Sequence, residues 1–272
     1  MTDMISLNLT GATRLNIIVG DPIAQVKAPH GVTQAFADRG HDGILVPVRV
    51  NSANLPDLLK TATRIDNLDG IIVTVPHKFD CFKFCSSATD RSQLLGSVNI
   101  MRRRAGGGWH GDTVDGLGFV GAVRANGGNP EGKRALLVGA GGAGSAIAMA
   151  LVEAGVRSLS IHDNDVVRRD QLIDKLKTLG RSEICAGSAD PSGFDLVANA
   201  TPLGMKAGDP FPIDISQLTS STFVGCVITS PAVSPLVQTA RSLGCPTSTG
   251  IEMYNALQDV MVDFLLARDG SN

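Results

Sequence analysis

The sequence predicts an α/β chain with parallel sheets, laid out as two successive series. Apolar, β-branched runs alternate with segments of helical periodicity along the chain. A second strand–helix series opens at Arg134, after a glycine-rich hairpin. No internal repeat of fixed period accompanies them.

The elements follow in order. "RLNIIVG" (14–20) reads as a strand, and "APHGVTQAFADRG" (28–40) as a helix with Pro29 near its start and Gly40 past its end. "ILVPVRV" (44–50) is the next strand and "ANLPDLLKTATR" (53–64) the next helix. "GIIVTV" (70–75) is a third strand, which Pro76 breaks to present His77 and Lys78 together. "SVNIMR" and "GWHGDT" pair as a hairpin around Gly106-Gly107-Gly108, and the adjoining Arg102-Arg103-Arg104 reads as part of a solvated turn. In the second series, "RALLVGAGG" is a strand entering a turn, and "AGSAIAMALVEAG" a helix ending at Gly155. Residues 158–163, 194–201 and 222–228 are further strands. A last helix, 252–267, carries Met253, Ala256, Leu257, Val260, Met261, Phe264 and Leu265 as one stripe.

Composition excludes several classes. The 272 residues are 43% hydrophobic and 18% charged, with a formal net charge of −2, so no global field favours nucleic acid or an anionic membrane. Five cysteines form no CxxC pair, and Cys81 and Cys85, four apart, have no nearby pair of histidine ligands, which predicts reduced thiols, no metal and a cytoplasmic setting. "MTDMISLNLTG" lacks the basic-then-apolar pattern of a signal peptide. Ala135–Val152 is uncharged over 18 residues, the lower length for a membrane span, but its four clustered glycines indicate another role.

That role is a phosphate-cradling turn. Gly139, Gly141 and Gly144 make GxGxxG between an apolar strand and an alanine-rich helix, with Ala140, Gly142 and Ala143 completing the loop. The first glycine permits the tight turn, the second lets backbone approach a pyrophosphate, and the third lets helix and strand pack closely. The helix N-terminus adds unpaired N–H groups and partial positive charge. A ligand-free βα turn is the bland alternative, which the full strand–turn–helix context disfavours. Asp163 lies 19 residues beyond Gly144, near the spacing of an acid that accepts from adenosine ribose hydroxyls. A carboxylate there favours NAD and repels the extra phosphate of NADP; Arg168 and Arg169, further on, are the residues that would bind that phosphate instead.

"VTVPHK" (73–78), "GSVN" (96–99), "GDTVDGLGF" (111–119), "GAGGAG" (139–144) and "NATPLGM" (199–205) occur in an order and spacing that resemble the shikimate/quinate dehydrogenase family. "TRLNIIVGDPIAQVKAP" (13–29) resembles that family's opening strand and loop, so the likeness runs over nearly the whole chain. It implies an N-terminal α/β domain for substrate and catalysis (1–116 with 249–272) and a Rossmann domain for the dinucleotide (117–248). The last helix returns to the first domain, and two connections imply a hinged cleft. It also implies Lys78 and Asp115 as the catalytic pair, Thr74 and Asn99 on the substrate's ring hydroxyls, and Asn199, Thr201, Gly204 and Met205 beside the nicotinamide. The chemistry is coherent: oxidising a secondary alcohol sends a hydride to nicotinamide and a proton to a base. A lysine accepts that proton only as the neutral amine, which desolvation favours and a neighbouring carboxylate opposes.

Departures from the family cluster on the substrate. Two serines that grip the substrate carboxylate are Val26 and Ala28 here. An asparagine two before the strand threonine is Ile72, the substrate tyrosine falls on Thr229, an aspartate on Cys226, and the last-helix glutamine on Leu257. Gln258 is one place along, about 100° around a helix. Each charge-assisted hydrogen bond lost is worth about 1.5–3 kcal/mol, or roughly 10- to 150-fold in affinity. Thr229, Ser230 and Gln25 are the candidates for compensation. The NADP-dependent members place Asn-Arg-Thr where this chain has Asp163-Asn164-Asp165, which removes the phosphate-clamping arginine.

The expected activity is therefore NAD-dependent, reversible oxidation of a ring hydroxyl on a shikimate-like cyclic polyhydroxy acid (shikimate, quinate or an aminoshikimate analogue). Activity on shikimate itself is expected to be weak. The alternative is a non-catalytic NAD-binding sensor of redox state or a metabolite. A small-molecule substrate is the expected partner, with no nucleic acid or membrane and with a homodimer as the candidate assembly.

Overall fold

A computed structural model of the chain describes residues 9–267. The fold divides into two compact units. One runs to Val114 and takes in the chain from Gln258 onward; the other is Asp115–Leu257.

The first unit contains β1 (Arg14–Gly20), α1 (Ala28–Asp38), β2 (Gly43–Arg49), α2 (Leu55–Ala62), β3 (Leu68–Val73), α3 (Lys78–Phe82), β4 (Ser87–Ala88), α4 (Asp90–Leu95), β5 (Ile100–Arg103) and β6 (Trp109–Asp112). Its sheet has the order β2-β1-β3-β5-β6-β4. β1, β2 and β3 run parallel, while β5 is antiparallel to both β3 and β6, as a hairpin requires. Central β1 is apolar through Ile17-Ile18-Val19, all buried, which suits a strand covered on both faces.

The second unit contains α5 (Asp115–Ala125), β7 (Arg134–Val138), α6 (Gly142–Glu153), β8 (Ser158–His162), α7 (Val166–Lys177), β9 (Glu183–Ala186), β10 (Leu196–Asn199), β11 (Phe223–Cys226), α8 (Pro235–Ser242) and β12 (Thr247–Ser248). Its sheet, β12-β11-β10-β7-β8-β9, is parallel throughout. α9 (Gly250–Leu266) crosses the division at Leu257/Gln258, inside a helix and not at the turn before it. The uncharged stretch 135–152 resolves into β7, a turn and α6, and no described helix is long and apolar enough to cross a membrane.

Local chemistry sets several boundaries. Ser234 caps α8, its Oγ accepting from the Val237 N–H with Pro235 following, and Asp165 caps α7 by accepting from the Arg168 N–H. β10 ends at Asn199 and not at 201, because Asn199 Oδ1 accepts from the Thr201 N–H at 3.0 Å and turns the chain. α7 went unpredicted, although its buried Leu172, Ile173 and Leu176 share a face. In α9, Met253, Leu257, Met261 and Leu265 are buried as expected, whereas Ala256 is exposed.

The arginine run is not a solvated turn. β5 lies between β3 and β6, so Arg102 is buried. Arg103 donates to the carbonyls of Ala62 (2.9 Å), Thr63 (3.1 Å), Ile65 (2.8 Å) and Leu68 (2.7 Å). Those oxygens include the end of α2, where a helix has no donors of its own. Its guanidinium also covers the buried Trp109 ring, 4.9 Å from the centroid. Replacing Arg103 with Ala should remove a donor group that four carbonyls share and cost about 1–3 kcal/mol. Arg103→Lys should recover little, because one ammonium cannot span four carbonyls; denaturant unfolding of both variants measures this.

Candidate active site

The first unit's candidate residues gather where its parallel strands end. Thr74 directly follows β3, and its N–H still donates to Val19 O at 2.9 Å. Its methyl group lies where a side chain on Gly20 would collide, so the exits of β1 and β3 touch through a glycine. The 21–28 segment leaves from the same edge, with Asp21 N–H donating to Val75 O at 2.9 Å. On that segment Val26 is half-buried, and Ala28, opening α1, is buried. Gln25, proposed as a compensating donor, gives its amide N–H to Pro22 O at 2.9 Å.

Lys78 opens α3 and is half-buried, with its own carbonyl accepting from Val98 N–H at 3.1 Å. Asn99 is buried just before β5, and its Oδ1 accepts from Val114 N–H at 2.8 Å. That bond fixes the amide orientation, carbonyl toward the chain leading to Asp115. Asp112, not singled out from sequence, secures the same stretch. Its buried carboxylate accepts from Arg91 Nε (2.7 Å), Thr89 Oγ1 (2.5 Å) and the Thr113 N–H (2.7 Å). Its only sequence signal was its place in "GDTVDG".

A separate cavity of about 500 Å³ in this unit is lined by Asn16, Phe36, His41, Asp69 and Leu265. It sits by the amino-terminal ends of the strands, away from Thr74 and Lys78, and takes no part here.

In the second unit, Asp115 opens α5 and is 8% exposed. Gly116 gives α5 close approach to α6, since a Cβ there would meet the Ala146 carbonyl and Ala150. Leu257 is buried against Gly118 in the same way, so it fills space with hydrocarbon where an amide would need partners.

The glycine turn follows β7. Gly139 has φ +100°, a conformation that favours glycine. A Cβ on Gly144 would overlap the Gly139 carbonyl oxygen, so helix and turn meet only because it has none. Gly141 precedes α6, and a Cβ there would meet nothing within 4 Å. Open space beside Gly141, at the uncapped N-terminus of a 12-residue helix with no acid in its first turn, suits a pyrophosphate. The residues present therefore fit a dinucleotide: Gly139–Gly144 at the phosphates and Asp163 at the adenosine ribose.

Asp163 follows β8 and is 8% exposed. Its Oδ2 accepts from the Ala140 N–H at 2.6 Å; its Oδ1 accepts from the Asp165 N–H at 2.8 Å and Arg168 Nη2 at 2.8 Å. Burial pushes its pKa up, but the Arg168 hydrogen bond, both amides and the Arg168 charge outweigh that and hold it below the ordinary carboxylate value. Arg168 is thus paired with the acid, and Arg169 pairs with Asp170.

Asn199 is fully buried and knots the next loop. Its Oδ1 accepts from Thr201 Oγ1 at 2.7 Å, and its Nδ2 donates to Cys226 Sγ at 3.3 Å. Ser234 Oγ donates to the same sulfur at 3.3 Å. Met205 packs on Cys226, Ile228 and Val237, and the loop closes where Gly204 and Lys206 N–H groups donate to Asp209 Oδ2. Thr229 is half-buried, with Ser230 exposed beside it. The structure brings Thr74, Lys78 and Asn99 to one strand-end edge of the first unit. It brings the glycine turn to Asp163, and Asn199 to Thr201 and Met205, at the strand ends of the second.

Comparisons with known proteins bear on this arrangement. Residues 18–101 match the family described as the shikimate dehydrogenase substrate binding domain, and residues 131–173, spanning the glycine turn and Asp163, match the ThiF family. A curated shikimate dehydrogenase (NADP(+)) of Rhodospirillum rubrum is 31% identical over 256 residues, 90% of this chain and 89% of its own. Two solved structures are each 27% identical with a TM-score of 0.81. One is a ligand-free 5-ketofructose reductase of Gluconobacter sp. strain CHM43, covering 94% of both chains. The other is a quinate dehydrogenase from Corynebacterium glutamicum in complex with NAD, covering 93% of this chain and 94% of its own. With that identity over nine-tenths of its length, the chain belongs to the shikimate dehydrogenase family.

Proposed function

We propose that the chain is an NAD-dependent oxidoreductase. It interconverts a ring hydroxyl and a ketone on a shikimate-like cyclic polyhydroxy compound, acting weakly on shikimate. The observation that carries the cofactor reading is Asp163, an ionised, buried carboxylate held against the glycine turn. Oδ2 has one protein donor and keeps lone-pair capacity for a ribose hydroxyl. A phosphate on that ribose would bring like charge against the acid. The quinate dehydrogenase neighbour was solved with NAD, whereas the curated relatives carry NADP(+) in their names.

When bound, the dinucleotide accepts or returns the hydride at its nicotinamide. The chain's own groups manage everything else. Lys78 Nζ takes the hydroxyl proton during oxidation and returns it during reduction. Asp115 orients that amine and the reacting hydroxyl, while Thr74 and Asn99 hold neighbouring hydroxyls. The Asn199–Met205 loop borders the nicotinamide.

A second substrate reading rests on one observation. On the first unit's opening loop, Ala28 is buried and Val26 is apolar, at positions where the family's serines grip the substrate carboxylate. An anionic carboxylate that meets these two side chains would lose those hydroxyl donors, at a cost of kcal/mol. A neutral polyol or ketose would not, and one structural neighbour is a 5-ketofructose reductase.

Three measurements test these readings. Lys78→Ala should lower turnover by about 10²- to 10⁴-fold while the NADH dissociation constant stays unchanged. A wild-type protein that binds NADH yet turns over nothing would instead indicate the sensor. Asp163→Asn should lower kcat/KM for NAD roughly 10- to 150-fold and narrow the NAD:NADP ratio. Wild-type kcat/KM across shikimate, quinate, neutral cyclic polyols and ketoses should place shikimate low; shikimate as the best substrate would remove the argument from Val26 and Ala28.

A further inference from the structure

We infer that His77 is a positioning residue for Lys78, bracing the turn that delivers the amine; this rests on the reading of Lys78 as the proton-transferring group. His77 has no exposed surface. Its Nε2 lies 2.7 Å from the carbonyl oxygen of Val50. A carbonyl only accepts, so Nε2 carries the proton and donates. Val50 follows β2, and its N–H donates to Gly20 O at the end of β1, the glycine packed against Thr74. The imidazole is therefore a strut from the exit of β3 to the exit of β2, beside that of β1.

The segment needs such a strut. α3 has five residues, too few to hold a helical turn by itself, and His77 at its N-cap makes no side-chain cap because its ring is turned inward to Val50. Backbone bonds fix the rest: His77 N–H to Thr74 O (3.0 Å), Cys81 N–H to His77 O (2.8 Å) and Val98 N–H to Lys78 O (3.1 Å). Lysine reaches its target through a flexible four-carbon stem. The turn sets the α-carbon from which that stem starts, and a displacement of about 1 Å near reacting atoms costs on the order of 10²-fold in rate.

Stability alone does not account for an imidazole here. His77 Nδ1 is buried with no hydrogen-bond partner, a cost that an apolar side chain of similar size would not carry. What the apolar side chain lacks is the directional bond to Val50.

His77→Leu and His77→Gln in the full chain test this, since the glutamine amide reaches the place of Nε2 and can still donate to Val50. The first readout needs no substrate: the rate at which acetic anhydride acylates Lys78, followed by peptide mass spectrometry, with the exposed Lys133 and Lys177 as references. The leucine variant should change the Lys78 rate by about threefold or more with the references steady, and the glutamine variant should restore it. On any substrate the wild type turns over, kcat should fall about 10- to 100-fold in His77→Leu and recover in His77→Gln, with NADH affinity unchanged in both. An unaltered Lys78 rate in a folded leucine variant overturns the proposal. So does a loss that glutamine does not rescue, or one that the reference lysines and NADH affinity share. If the wild type oxidises nothing, the assigned reaction fails, while the labelling still decides the role of His77.

Discussion

Parallel strands joined by crossover helices all leave their sheet at the same edge, and each exit must find partners for its backbone there. In the first unit, the exits of β1, β2 and β3 satisfy one another: Thr74 bonds Val19, Val50 bonds Gly20, and His77 bonds Val50. In the second, the exits of β7, β8 and β10 carry the glycine turn, Asp163 and the Asn199 knot. The candidate site residues collect at these edges, where polar groups are needed anyway and loops can change without disturbing the ladders.

Charge is handled differently in the two units. Asp112 is buried with a guanidinium, a hydroxyl and an amide, so its bonds hold the chain. Asp163 is similarly buried yet retains acceptor capacity on Oδ2, beside a turn with open space at Gly141. Its pairing with Arg168 keeps it ionised, so its contribution to stability is present above the usual carboxylate range and lost as pH falls through its lowered pKa. Two of the thiols, Cys81 and Cys85, do not join in. Burial raises that of Cys81 beyond the titrating range and Cys85 to about 12, which makes both poor nucleophiles.

Substitution at the family's substrate positions has a packing logic. Leu257 lies on Gly118 with no room between, and Cys226 accepts from Asn199 and Ser234. At these two positions the neighbouring donors Asn199 and Ser234 bond the Cys226 sulfur, and the Leu257 hydrocarbon needs no partner.

Much of this was legible in residue order. Period and punctuation marked β1, β3, β7 and α6, because continuous apolar runs and GxGxxG are local consequences of burial and of turn geometry. Lys78 was singled out because it follows an apolar strand and Pro76 within a motif that resembles the family's; in the structure β3 already ends at Val73, and residues 74–77 form the turn that leads to it. Short elements such as β4, α3 and β12 were not, since two to five residues carry too little pattern to separate from a loop. What only tertiary structure decided was where side chains spent their bonds: Arg103 on the end of α2 and not on water, Arg168 on Asp163, and His77 on Val50. Each joins residues between 5 and 41 positions apart. Hydrogen-bond partners are set by distance in space, and no local spacing encodes the approach of one strand's exit to another's.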